Sequence, residues 1–121
     1  MTHRLLRFLL VVAGIAVGSW LLGRAVDQEA RAHGVSSSVA IRQVFPSATE
    51  DAAIRVARCE SRLNRWAVGR AGERGLFQIH PIHFYWMDER RLFDPVYNAR
   101  IAYRLSRGGT SWRHWACRWA A

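Results

Sequence analysis

The sequence predicts a helical chain, a small domain of helices and tight turns behind an apolar leader helix. Three observations carry that reading. Ser47 and Glu50 have the spacing of a capping box, in which a hydroxyl and a carboxylate satisfy the free amides of a first helical turn, so a helix opens near Ala48. Asp94-Pro95 and Gly108-Gly109 carry the start and stop signals of a second helix. At the N-terminus, His3, Arg4 and Arg7 precede the uncharged apolar run from Phe8 to Leu22, which Arg24 closes.

Residues 1–24 therefore read as an export element. The apolar run is shorter than the ~20 residues that span a bilayer comfortably, which favours a signal peptide; an uncleaved anchor is the alternative. Ala30-Arg31-Ala32 has the small-x-small form of a cleavage site, and a cut after Ala25 is a second possibility. If the segment stays, its arginines hold the N-terminus in the cytoplasm and place the domain outside. Residues 25–46 read as a polar linker, with little to bury around Asp27, Glu29, Arg31 and the run Ser36 to Ser38. Val39, Ile41, Val44 and Phe45 are suited to pack beneath the first helix. The folded domain is expected over 47–121.

On that first helix, a turn of about 100° per residue places Ala52, Ala53, Val56, Ala57, Cys59 and Leu63 on one arc, with Asp51, Arg55, Arg58 and Arg62 opposite. Glu60 falls in the middle of the apolar arc, close to the helix's C-terminal end. Burial and the helix dipole both disfavour a negative charge there. A carboxyl that keeps its proton near neutral pH is what a general acid requires. The same position also suits a solvated helix end or an ion pair with an arginine.

Two cysteines, Cys59 and Cys117, suit one disulfide in an exported chain, or two buried thiols if it is not oxidised. Closing a loop of that length stabilises a small domain by ~4 kcal/mol on the chain-entropy model, and it would hold the C-terminal segment beside Glu60. No cysteine and histidine cluster has zinc-ligand spacing, so no metal or cofactor is called for. The formal net charge is +9 and every basic side chain is arginine. Such a surface favours polyanions. Export and the lack of any nucleic-acid motif turn that preference away from nucleic acid and towards anionic lipid or anionic cell-wall polymers. One small core leaves no surplus apolar helix face, so a monomer is expected.

Between Asn64 and Pro81 the chain is punctuated by Gly69, Gly72 and Gly75 and reads as loop. Gln78 stands among Leu76, Phe77 and Ile79, where its amide must find partners in backbone or ligand. Pro81 can open a further helix bearing Ile82, Phe84, Tyr85, Trp86 and Met87. After Asp94-Pro95, the residues Asn98, Ile101, Ala102 and Leu105 have the spacing of one buried helical face.

Glu60-Ser61, Asn64, Ala67-Val68, Ala71-Gly72, Gly75-Leu76-Phe77-Gln78-Ile79 and Pro81 resemble the signature of the soluble lytic transglycosylase domain, in register without a gap. Asp94-Pro95 and Asn98 are similar to the family's later helix. Three positions depart from the pattern. Arg65 replaces the usual proline, Gly69 a serine, and Glu73 a small residue. Where the family has a Tyr-Asn-Ala-Gly segment lining its cleft, this chain has Trp112-Arg113-His114-Trp115-Ala116-Cys117, an ending that resembles small secreted lysozyme-like proteins akin to resuscitation-promoting factors. The resemblance covers about residues 48 to 117.

It implies an all-α lysozyme-like fold acting on peptidoglycan, at the β-1,4 bond between N-acetylmuramic acid and N-acetylglucosamine. Carried over by position, Glu60 is the acid and then the base, and the muramic acid's own 6-hydroxyl closes a 1,6-anhydro product. Gln78 corresponds to a cleft glutamine, and His80 and His83 stand where they can contact sugar. A hydrolase of the same fold needs a second carboxylate, for which Glu73 is the best-placed candidate and Asp88 the next; both also suit the surface. Trp112 and Trp115 can stack on sugar faces or pack the core, and Trp66 carries the same choice. The non-enzymatic alternative is a wall-binding module that keeps the fold without turnover.

Overall fold

The computed structural model describes residues 36–121. The expected leader over 1–24, its cleavage sites and the first part of the expected linker lie outside the described residues. Among those described, there is no strand, only two isolated antiparallel bridges, Val68 to Arg74 and Arg74 to Ile79. The fold of the described residues is all-α, as expected.

Part of the expected linker belongs to the folded unit. Residues 36–44 form a helix, α1. Ala40 and Ile41 are buried, and Phe45 just beyond it is too, while Val39 is half exposed. Ser37 is buried and its hydroxyl donates to the Leu63 carbonyl at 2.9 Å. The run of serines looked like linker because short hydroxyls carry no apolar signal, yet a helix can bury one when a carbonyl receives it.

The second helix, α2, spans Glu50–Ser61. The expected capping box does not form. Thr49 holds the N-cap position without a side-chain cap bond, and its hydroxyl donates instead to the Gly108 carbonyl at 2.9 Å. Glu50 and Asp51 sit in the first turn, where the dipole favours them, and both pair with Arg42 of α1. The helix starts three residues after Ser47, which leaves the serine outside the cap position. The buried face is Ala53, Ile54, Val56 and Ala57. Cys59 is exposed and Glu60 only half-buried, so the acid lies at the edge of the apolar arc and not within it. Arg62 and Leu63 both take left-handed backbone, φ 56° and 61°. The helix stops there, with the Arg62 amide donating to the Arg58 carbonyl.

The third helix, α3, spans Pro95–Leu105 and begins as the sequence dictates. Asp94 accepts from the Tyr97 amide at 2.8 Å and Pro95 occupies the first turn. Asn98, Ile101 and Ala102 are buried, with Leu105 partly so. The helix ends before the expected glycines, at Ser106, whose hydroxyl accepts from the Gly109 amide at 2.9 Å.

Pro81 opens only a 3-10 helix, Pro81–Trp86, with no fully buried residue. Phe84, Trp86 and Met87 lean on the core, whereas Ile82 and Tyr85 face solvent. With three residues per turn, the bulky residues do not share one face long enough to continue as a buried α-helix. Short 3-10 helices also cover Glu89–Phe93 and Arg118–Ala120.

The core centres on Phe77, which is fully buried. Trp112 stacks on it with ring centroids 5.9 Å apart and planes 13° apart, and Phe45 lies 5.8 Å away. Such offset aromatic contacts add about 1 kcal/mol each beyond area burial. No helix among the described residues is long and apolar enough to cross a membrane.

Candidate active site

Glu60 ends its helix facing a groove of about 290 Å³. Its neighbour Ser61 shows why the helix end sits where it does. The Ser61 hydroxyl is within hydrogen-bond distance of two carbonyls, Ala57 at 3.1 Å in its own helix and Leu76 at 2.8 Å in the glycine loop. The Glu-Ser pair thus divides its work: the serine ties helix to loop, and the glutamate faces the space between them.

A second part of the lining comes from the loop 64–80, held in shape by α3. Asn98 is fully buried, and its oxygen accepts from the Phe77 amide at 2.9 Å. Its amide nitrogen donates to Arg74 and Leu92 carbonyls at 3.0 and 2.9 Å. Gly75 at φ +75° passes so close that a Cβ there would lie 2.2 Å from the Leu92 carbonyl oxygen and 2.3 Å from the Asn98 amide nitrogen. The loop turns at Gln78, φ 46°. The Gln78 amide nitrogen donates to the Ala67 and Gly75 carbonyls at 3.1 and 2.9 Å. Its donors are spent on backbone, and the side chain lines the groove.

The third wall is the C-terminal segment. Cys59 and Cys117 are joined by a disulfide with Cα atoms 6.0 Å apart. The Cys117 amide donates to Glu60 Oε1 at 2.8 Å. His114, Trp115 and Ala116 line the groove. Trp115 is anchored by its indole nitrogen, which donates to the Phe77 carbonyl at 2.7 Å.

Of the residues expected at the site, Glu60, Gln78 and His80 meet in the groove. His80 caps the 3-10 helix by accepting the Ile82 amide on Nδ1 at 3.1 Å. His83 is outside the lining but touches it, its ring 5.7 Å from that of His114. Burial and the neighbouring His114 and His80 lower the His83 pKa from its usual 6.5. Trp112 is a correction. It is 6% exposed, stacks in the core and donates to the Gly109 carbonyl at 3.0 Å, so it presents no face for sugar. Trp66 is exposed but packs on Phe93 with Arg65 over its ring. Of the two candidate second acids, Glu73 lines the groove. Asp88 does not; it caps the following 3-10 helix by accepting the Arg90 amide.

Gly69, a loop-marking glycine in the sequence, also lines the groove, and Arg70, His114 and Ala116 complete the lining without having been candidates for the site. For the last two a signal existed, because the segment Trp112 to Cys117 stands where a cleft-lining segment was expected.

Residues 28–117 match the family model described as a lysozyme-like domain. The chain belongs to that family. Its members act on peptidoglycan as glycosidases or transglycosylases. Among curated proteins and solved structures, nothing matches the chain significantly. The match takes in residues 36–44 and ends at Cys117, so the described part of α1 and the cysteine that closes the disulfide both fall inside the lysozyme-like domain.

The electrostatics of this lysozyme-like groove separate two kinds of acid. Glu50, Asp51, Asp88 and Glu89 each lie within 4.0 Å of an arginine. Asp94 is a helix cap. Glu60 and Glu73 are the described acids with neither role: among the described residues no ion pair within 4.0 Å reaches them. Carboxyls left unneutralised in a concave site are what acid and base chemistry on a sugar bond uses.

Proposed function

We propose that this protein is an exported lytic transglycosylase that cuts the β-1,4 bond between N-acetylmuramic acid and N-acetylglucosamine in peptidoglycan. Glu60 protonates the glycosidic oxygen as the bond to the anomeric carbon breaks. The resulting carboxylate then takes the proton of the muramic acid's 6-hydroxyl, which bonds to the same carbon and closes the 1,6-anhydro ring. The single observation that carries the reading is the state of Glu60: one oxygen tethered by the Cys117 amide, the side chain lining a groove, and, among the described residues, no arginine within 4.0 Å. A tethered carboxyl keeps its aim through both steps, and positioning of this kind lowers the barrier without new contacts.

Gln78, His80 and His114 are the groove's polar contacts for sugar hydroxyl and acetamido groups. The basic surface adds a non-specific attraction to anionic wall polymers. The action lies outside the cytoplasmic membrane, where this substrate is. The test is clearing of purified peptidoglycan by the unmodified protein and by Glu60→Gln. Clearing by the first and not the second, with sedimentation on peptidoglycan unchanged, is the expected result. Binding without clearing by either would leave a wall-binding module. Mass spectrometry of the released fragments then identifies anhydro ends, lighter by one water than reducing ends.

A further inference from the structure

We propose that Glu73 is a second catalytic carboxylate, a base that activates water, so that the groove releases hydrolysed ends beside anhydro ends. The proposal rests on the reading of Glu60 as the glycosidic acid.

The observation that carries it is the fit between Gly69 and the Glu73 carboxylate in the groove wall. A Cβ on Gly69 would lie 2.1 Å from Glu73 Oε2 and 2.8 Å from Gln78 Oε1. Gly69 is not among the positive-φ glycines, so its backbone suits any residue. What its lack of a side chain provides is room for the Glu73 carboxylate beside Gln78. Glu73 Oε2 is fixed by the Ala71 amide at 3.0 Å. Among the described residues no protein donor meets its other oxygen and no arginine comes within 4.0 Å. A carboxylate that lines the same groove as Glu60 with one oxygen unclaimed has the form of a base waiting for water.

The step balances. Glu60 gives its proton to the leaving oxygen as the bond to the anomeric carbon breaks. A water oxygen bonds to that carbon and its proton passes to Glu73, giving a reducing end. Solvent then returns the proton from Glu73 to Glu60. The water competes with the substrate's 6-hydroxyl for one and the same oxocarbenium-like carbon, so the products partition.

The experiment digests purified peptidoglycan in H₂¹⁸O and measures labelled reducing ends against anhydro ends by mass spectrometry. The unmodified protein is expected to give both. Glu73→Gln, which keeps an oxygen for the Ala71 amide, is expected to lower the ratio of labelled to anhydro ends by about 10²-fold, the low side of what a general base contributes. Gly69→Ser, which pushes the carboxylate aside, should lower it in the same direction. Circular dichroism melts establish that each variant folds; Glu73→Gln decides the matter if Gly69→Ser does not. Anhydro ends alone from the unmodified protein, or an unchanged ratio in Glu73→Gln, overturns the proposal while leaving Glu60 as the transglycosylase acid. Absence of both products from the unmodified protein removes the glycosidase reading and this proposal with it.

Discussion

The amide of Cys117 donates to Oε1 of Glu60 across 57 residues of sequence, at 2.8 Å. That bond exists because Cys59, the residue before Glu60, is covalently joined to Cys117. The disulfide does two things at once. It closes a long loop, and it holds a backbone donor on the acid and the segment His114 to Ala116 along the groove.

Replacing both cysteines with alanine should therefore lower stability and activity by different amounts. The unfolded chain regains its loop entropy, so the melting free energy is expected to fall by ~4 kcal/mol, read by urea denaturation. Clearing activity measured at a temperature where the variant is folded should still fall, because Glu60 loses its tether. Full activity in the folded double variant would mean the tether is not needed.

Glu60→Gln keeps an acceptor for Cys117 and the shape of the side chain. It removes the transferable proton. We expect a rate loss of at least about 10²-fold with a melting temperature close to that of the unmodified protein, measured by release of soluble fragments and by circular dichroism.

Asn98 is the pin between α3 and the glycine loop. Asn98→Leu fills a similar volume but leaves the buried Phe77 amide and the Leu92 carbonyl without partners, while the Arg74 carbonyl keeps only its bond from the Ile79 amide. The expected cost is about 3 kcal/mol or more, seen as a lower denaturation midpoint.

Gly75→Ala meets two penalties together. Its backbone is left-handed, and the added methyl lands against the Leu92 carbonyl and the Asn98 amide. Neither neighbour is free to move, since Asn98 is held by three bonds. A loss of about 3 kcal/mol is expected, and the groove should distort with it, so activity per folded molecule falls as well.

His83 gives a pH prediction. Its pKa is lowered in the folded protein, first by burial and then by His114 and His80. The unfolded chain thus binds the proton more readily. The stability it contributes is present above about pH 6.5 and is lost as the pH falls from that value through the lowered one. Melting temperature should decline over that window, and His83→Asn should flatten the decline. An unchanged slope in the variant would show that another group titrates there.

How legible the site was depended on the kind of signal. Asp94-Pro95 predicted the start of α3 because capping is a local matter of side chain to nearby amide. Ser47 and Glu50 carry an equally good local signal that fails, because Glu50 pairs with Arg42 and the helix starts at Glu50, with Thr49 tied to Gly108 at the N-cap position. Glu60 and Gln78 were readable from their register in the motif. Trp112 and Trp115 were not separable, since three residues of spacing say nothing about which ring meets Phe77 and which reaches the groove wall.

The sequence by itself determined the helical class, the acid at the end of α2, the capped α3 and the pairing partners for one disulfide. These follow from local periodicity, local capping and the presence of only two cysteines. The tertiary structure alone decided that residues 36–44 join the core, that Trp112 is buried, and that Gly69 leaves room for Glu73 in the groove. Each of those depends on which distant groups come within a few ångströms, and distance through space is a quantity that spacing along the chain does not carry.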